Sequence, residues 1–466
     1  VSDRKGGGGG IGASEASGAS TAGEAGETSG AAGAGRTAVV FVAGRDPRDE
    51  LSGGHSAYVR SYARAALAGG FQPHLFCAAR DSRVDDTDFG TVHRVASPVR
   101  PFRQTMAGAH AFFVVRAIER WVRARAASEA VAAMAAMAAM ATNVSRAAVP
   151  APVLLHGFGV WGVIAVRAAR RLVARGIPAV AVVGSYTTYE EESRAKVRGA
   201  ETYGLRQRLA LRAEHLWIRL CVERWEREAY LGAARVLINY DSVRRLVQAK
   251  YGTAARCEYL PYTCESAFLR AAGRGDAAAG GGGAGAPCLV AVSRHDTRKG
   301  VDLLLHALAR LHAEGVPLRA QLIGGGPLLD VHRRLAARLG LSAVVTLTGP
   351  VPDPFLYLAA ADVYVLPSRE EQSGSLALLE AMQTGVAIVA SGVDGILEDV
   401  VDGVDAILVT PEDVDELVDA LRSTLTDPVL RRRLAESACS RFAENFAPDV
   451  VRDGLRALYE SLSVHP

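Results

Sequence analysis

Residues 361–391 read ADVYVLPSREEQSGSLALLEAMQTGVAIVAS. An apolar strand, 361–368, runs straight into an acidic turn at Glu370 and Glu371. A loop of small residues follows, Ser373-Gly374-Ser375, and then an apolar helix, LALLEAM, that carries one carboxylate, Glu380. A carboxylate is costly to bury without a partner. A strand, a glycine-containing loop and a helix N-terminus together form a place for an anionic ligand. The order strand, loop, helix sets that place at the carboxyl end of a parallel strand.

The same alternation extends outward. Apolar runs CLVAVSR, RAQLIGGG, VVTLTG, VAIVAS and DAILVTP are separated by helical stretches such as VDLLLHALARLHAEG, where Val301, Leu304, Leu305, Leu308 and Leu311 share one face. Near-continuous apolar strands alternating with helices indicate a parallel, doubly wound sheet. The first half repeats the pattern with AVVFVAG, QPHLFCA, APVLLHGFG, IPAVAVVGS, ARVLINY and CEYLPY. At 466 residues, 49% of them hydrophobic, the chain can fill two cores. The expected fold class is α/β, with two Rossmann-like doubly wound domains facing each other across a cleft. The expected division is a disordered tail at 1–36, a first domain at 37–270, a Gly/Ala-rich linker at 271–287, a second domain at 288–445 and a C-terminal helix at 446–466.

Composition excludes several classes. A net charge of +3 is too mild to imply nucleic acid. Basic residues cluster at 94–126, which holds seven arginines and one acid, Glu119. Arg116, Arg120 and Arg123 fall on one helix face, which reads either as a solvated surface or as a peripheral contact with anionic lipid. The six cysteines form no CxxC pair, so neither a zinc site nor a disulfide framework is expected, and buried free thiols in the cytoplasm are. The first 36 residues lack the apolar core of a signal peptide, and no apolar run reaches about 20 residues.

Other residues carry chemistry by type and place. In Ser293–Gly300, SRHDTRKG, Arg294 and Lys299 lie between a strand and a helix. A guanidinium fork and an ammonium point charge both suit a diphosphate. Gly53-Gly54 follows the first strand, Gly324-Gly325-Gly326-Pro327 follows another, and His156 ends a third. No Walker A, HExxH or GxSxG motif is present, and no DxD dyad lies in the cleft loops.

The stretch that begins at Pro367 resembles the donor-site signature of family 4 glycosyltransferases, retaining enzymes of the GT-B fold, P-S-x-x-E-G-F-G-L-x-L-L-E-A-M-A-x-G-x-P-V-V-A-S. The resemblance covers most of residues 37 to 463 and is dense from 288 to 440. It implies transfer of a sugar from a nucleotide-diphosphate sugar, UDP- or GDP-linked, to a glycan, lipid-linked or small-molecule acceptor. No metal and no cofactor are implied, because Arg294 and Lys299 would bind the diphosphate and stabilise its departing charge. Glu380 would hydrogen-bond the ribose. Gly53, Gly54, Gly325, Ser373, Gly374, Ser375 and Leu376 would shape the donor pocket, and His156 would stand near the reacting centre. The last helix would cross back onto the first domain. The family places seven residues between its two glutamates, which puts Gln372 in the first position and leaves Glu371 one residue early. Either the loop absorbs a residue and Glu371 meets the sugar, or Gln372 replaces the carboxylate. Another GT-B enzyme, an epimerase or a phosphorylase, and a catalytically silent sugar-nucleotide-binding subunit are the alternative readings.

Overall fold

The apolar runs of the sequence become two sheets. The computed structural model describes residues 37–48, 54–99, 104–139, 151–252, 255–272, 285–371 and 373–464. The tail 1–36 and most of the expected linker lie outside the described residues. The first half contains β1 (Ala38–Ala43), α1 (Gly54–Ala68), β2 (Gln72–Ala79), β3 (Arg83–Thr87), β4 (Gly90–Ala96), α2 (Ala107–Ala139), β5 (Val153–Phe158), α3 (Gly162–Val173), β6 (Ala179–Ser185) and α4 (Tyr189–Arg198). It continues through α5 (Leu205–Trp217), α6 (Glu223–Gly232), β7 (Arg235–Ile238), α7 (Asp241–Tyr251), β8 (Cys257–Tyr259) and α8 (Glu265–Ala272). The strand order is β3-β4-β2-β1-β5-β6-β7-β8. All pairings are parallel except β3 with β4, a polar edge hairpin.

The second half contains β9 (Cys288–Val292), α9 (Val301–Ala313), β10 (Arg319–Ile323), α10 (Leu329–Arg338), β11 (Val345–Gly349), α11 (Phe355–Ala359), β12 (Val363–Leu366) and α12 (Leu376–Thr384). Then come β13 (Ala387–Ser391), α13 (Ile396–Asp399), β14 (Ile407–Val409), α14 (Val414–Thr426), α15 (Pro428–Asn445) and α16 (Pro448–Val464). Its sheet is wholly parallel, in the order β11-β10-β9-β12-β13-β14. The strand order reverses between β9 and β12, so the crevice for a ligand lies beyond their carboxyl ends. The residues that leave those two ends are Ser293 onward and Pro367 onward.

Packing follows the apolar faces. Leu304, Leu305, Leu308 and Leu311 of α9 are fully buried with Leu417, Val418 and Leu421 of α14 on the outer face of the second sheet. Each such side chain contributes about 1.5–3 kcal/mol when removed from water. On the inner face, Leu378, Leu379 and Met382 of α12 join one continuous cluster with Tyr240 and Tyr262 of the first half. α16 packs on α1 and α8 of the first half. All six cysteines are free. Cys77, Cys264 and Cys288 are buried, but Cys439 is exposed on α15, contrary to the expectation of uniformly buried thiols.

Candidate active site at the carboxyl ends of β9 and β12

Two loops that the sequence separates by some seventy residues are joined here by the backbone. The Arg369 N–H donates to the Arg298 carbonyl at 2.7 Å. Arg369 also clamps the loops through its guanidinium, which donates to the Thr297 carbonyl at 2.9 Å and to both Asp302 oxygens at 2.7 and 2.8 Å. The close approach depends on Gly300. Its φ is +60°, and a Cβ there would sit 1.9 Å from the Pro367 carbonyl oxygen. Only glycine fits that space. Asp296 shapes the turn before it by accepting from the Arg298 N–H.

This arrangement brings Lys299 to Glu371. The Lys299 Nζ donates to the two carboxylate oxygens at 2.6 and 2.5 Å, and Ser368 Oγ donates to Oε1 at 2.5 Å. The Glu371 N–H donates to Asp394 Oδ2 at 2.8 Å. The Glu371 side chain is 4% exposed and that of Lys299 is 16% exposed. Charge-assisted bonds of this geometry are the strong kind. Gln372 lies outside the described residues.

Around this pair stand the other expected donor contacts. Arg294 is exposed, at the end of β9. Its loop is held against the Gly324–Gly326 turn: the His295 N–H donates to the Gly325 carbonyl at 3.0 Å. A Cβ on Gly324, at φ +135°, would lie 1.9 Å from the Ser293 carbonyl oxygen. Ser375 precedes the first residue of α12 with extended backbone and makes no side-chain cap, so the first-turn N–H groups of Leu376 and Ala377 face the crevice end of the helix. Gly374 lies against Tyr240, where a side chain would collide with the tyrosine hydroxyl.

Glu380 sits one turn into α12. Ser266 Oγ of α8 donates to its Oε1 at 3.5 Å. Burial first, then the nearby charge of Asp353, push its carboxyl up to about 7. The group is therefore balanced between its two protonation states near neutral pH.

Comparison with known proteins bears on the fold. Residues 286–427 match the family described as Glycosyl transferases group 1. The chain is 30% identical over 250 residues to the alpha-D-kanosaminyltransferase of Streptomyces kanamyceticus, a stretch that covers 52% of this chain and 64% of that protein. It spans less than two thirds of the length of that relative. Among solved structures, sucrose-phosphate synthase from Thermosynechococcus elongatus superposes with a TM-score of 0.62 at 20% identity, covering 92% of this chain and 100% of that one. The Anabaena protein HepE in complex with UDP gives 0.55 at 15% identity, covering 91% and 100%. These likenesses establish the fold, which is GT-B: two Rossmann-like domains across a cleft.

The first half meets the second through contacts that the sequence reading did not find. The Tyr240 hydroxyl lies 2.9 and 3.0 Å from the Asp399 carboxyl oxygens and 2.7 Å from the Tyr262 hydroxyl. Burial holds Asp399 well above the usual carboxylate range. Glu398 accepts from the N–H groups of Asp241 and Ser242 at 2.7 and 2.9 Å, which places a carboxylate on the N-terminus of α7. Arg198 pairs with Glu370 at 2.9 Å, and Arg270 with Asp353 at 2.7 Å. Of these residues only Glu370 belongs to the acidic turn that the sequence marks.

Three site residues are expected in the first half. Gly53 lies outside the described residues, and Gly54 opens α1. His156 is fully buried, not at a cleft surface. Its Nδ1 lies 2.7 Å from the Tyr459 hydroxyl of α16, and its ring stacks against both Phe41 and Phe158. Burial pushes it down to about 3, so it is neutral at physiological pH. A histidine expected near the reacting centre is a core residue in this structure. The exposed Arg116, Arg120 and Arg123, read from the sequence as either a solvated face or a peripheral lipid contact, line with Arg171 and Arg175 a cavity of about 590 Å³ around Glu119.

Proposed function

We propose that this protein is a retaining glycosyltransferase that moves a sugar from a UDP- or GDP-sugar to a glycan or lipid-linked acceptor in the cytoplasm. One observation carries the reading. The ammonium of Lys299 and the carboxylate of Glu371 stand together at the switch point of the second sheet, beside the N-terminus of α12. A diphosphate suits that place because the helix end and Lys299 both favour negative charge, and Arg294 adds a second cation.

Lys299 would exchange part of its pairing with Glu371 for the leaving phosphate, and Glu371 would accept from the hydroxyls of the donor sugar. Glu380 would accept from the ribose. In front-face transfer the bond from the anomeric carbon to the diphosphate breaks as the acceptor oxygen bonds to the same face. The acceptor proton passes to the departing phosphate oxygen. No protein nucleophile is needed, and the residues position the reactants and stabilise charge. The donor type is supported by relatives of known name: a mycolicibacterial mannosyltransferase, 34% identical over 163 residues, is named as GDP-mannose-dependent, and HepE was solved with UDP.

The test is a thermal-shift screen of UDP-, GDP- and ADP-sugars, followed by transfer from the stabilising donor and assignment of the product anomer by NMR. A product with the donor's anomeric configuration supports the reading. An inverted product overturns the retaining mechanism, and stabilisation with neither transfer nor hydrolysis points to a silent binding subunit.

A further inference from the structure

α5 is a helix that the protein does not bury: none of its residues is buried. Leu205 is 72% exposed, Leu209 55%, Leu216 56%, and Leu220 in the turn that follows 58%. At about 100° per residue, Leu205, Leu209 and Leu216 fall on one narrow stripe, and Leu220 prolongs it. Arg208, Arg212 and Arg219 border the stripe on one side, and Arg206 with the half-exposed Trp217 on the other. Glu214 is the only acid from 205 to 222. It falls on the opposite face, where with Leu211 and Ile218 it lines a cavity of about 350 Å³. A row of exposed leucines with cations on both borders is not ordinary soluble surface.

We propose that α5 lies on an anionic lipid bilayer, with the leucine stripe at the boundary between headgroups and acyl chains and the flanking arginines at the lipid phosphates. The charge pattern decides between a bilayer and a second copy of this chain. Pairing two stripes would bring arginines against arginines, with no acid on the outward face to offset them. An anionic surface complements both borders at once. Among the described residues no helix is long and apolar enough to cross a membrane, so the contact is peripheral. α5 follows α4, whose last residue, Arg198, reaches Glu370 in the acidic turn next to Glu371. The lipid contact thus belongs to a segment that also touches the cleft, and it sits on a different helix from the basic stretch 94–126. It does not depend on the glycosyl-transfer reading.

The experiment is flotation of the full chain with phosphatidylcholine vesicles and with vesicles that also contain phosphatidylglycerol. The wild type floats with the anionic vesicles and not with the neutral ones. Leu209→Ser with Leu216→Ser lowers the bound fraction by about tenfold, and Arg208→Gln with Arg212→Gln makes binding fail at lower salt, with melting temperatures unchanged in both. Equal flotation of wild type and the leucine variant overturns the proposal, as does no preference for the anionic vesicles. A dimer in sedimentation velocity that the leucine variant dissolves also overturns it, and assigns the stripe to a second copy.

Discussion

The Lys299 ammonium lies 2.6 and 2.5 Å from the two carboxylate oxygens of Glu371, so the cation expected to meet a diphosphate already has a partner in the protein. Lys299→Ala therefore has two effects. It removes one stabiliser of departing charge, a loss of roughly 100-fold or more in turnover. It also strands a nearly buried carboxylate, at about 1–3 kcal/mol of stability. The double variant Lys299→Ala with Glu371→Ala regains most of the stability and none of the activity. Near wild-type turnover in a folded Lys299→Ala protein removes Lys299 from the site.

The position of Glu371 bears on the irregular spacing of the acidic turn. With its carboxylate held by Lys299 and Ser368, Glu371→Ala is expected to abolish transfer and Gln372→Ala to lower it only a few-fold. Steady-state kinetics on both variants decides the matter. A severe defect in Gln372→Ala with a mild one in Glu371→Ala reverses the assignment.

Gly300→Ala tests the joining of the two loops without touching a charged group. Its Cβ would collide with the Pro367 carbonyl, and φ +60° disfavours any side chain. The loops must part, which separates Lys299 from Glu371. Donor affinity is expected to fall at least tenfold and the melting temperature to drop. Unchanged affinity by calorimetry would show that the junction does not build the site.

Glu380 predicts a pH dependence. Its carboxyl is raised from the ordinary 4.5 to about 7, so between those values the folded state holds a proton that the unfolded state has lost. Stability contributed by this group therefore falls as pH rises from 4.5 to about 7. Ribose hydroxyls donate to the ionised form, so donor affinity rises as pH climbs through about 7, with proton release on binding. Calorimetry in buffers of different ionisation heat detects the proton. Glu380→Gln abolishes the release, and release that persists in the variant assigns the proton to another group.

Tyr459→Phe separates a core role from a catalytic one for His156. It deletes the 2.7 Å hydrogen bond to Nδ1, at about 1–2 kcal/mol, and is expected to leave kcat/KM within a few-fold. A large loss of turnover at unchanged melting temperature would return His156 to the reacting centre.

The fold was legible where burial is two-sided. The runs at Val39–Val42 and Val363–Leu366 are continuous and apolar because helices cover both faces of each sheet. The β3 edge strand, RVDDT, was not legible, since an exposed edge needs no apolar signature. In the site, Arg294, Lys299 and Glu380 could be placed from their positions after strands and in a helix. The Tyr240–Asp399 contact could not, because it spans 159 positions and ILEDV reads as any short surface helix. The exposed leucines of α5 carried no warning either: spacing shows that a helix has an apolar stripe, and only packing shows that nothing covers it.

His156 and Tyr459 are 303 positions apart, yet they share the interior of the first half. During synthesis the first sheet emerges long before α16 exists. Until then, the Nδ1 of His156 and the surfaces of α1 and α8 that receive α16 have no cover. The first half is thus completed only after the second has been made, and a fragment ending before residue 448 would leave that seam open to chaperones, to proteases and to other chains.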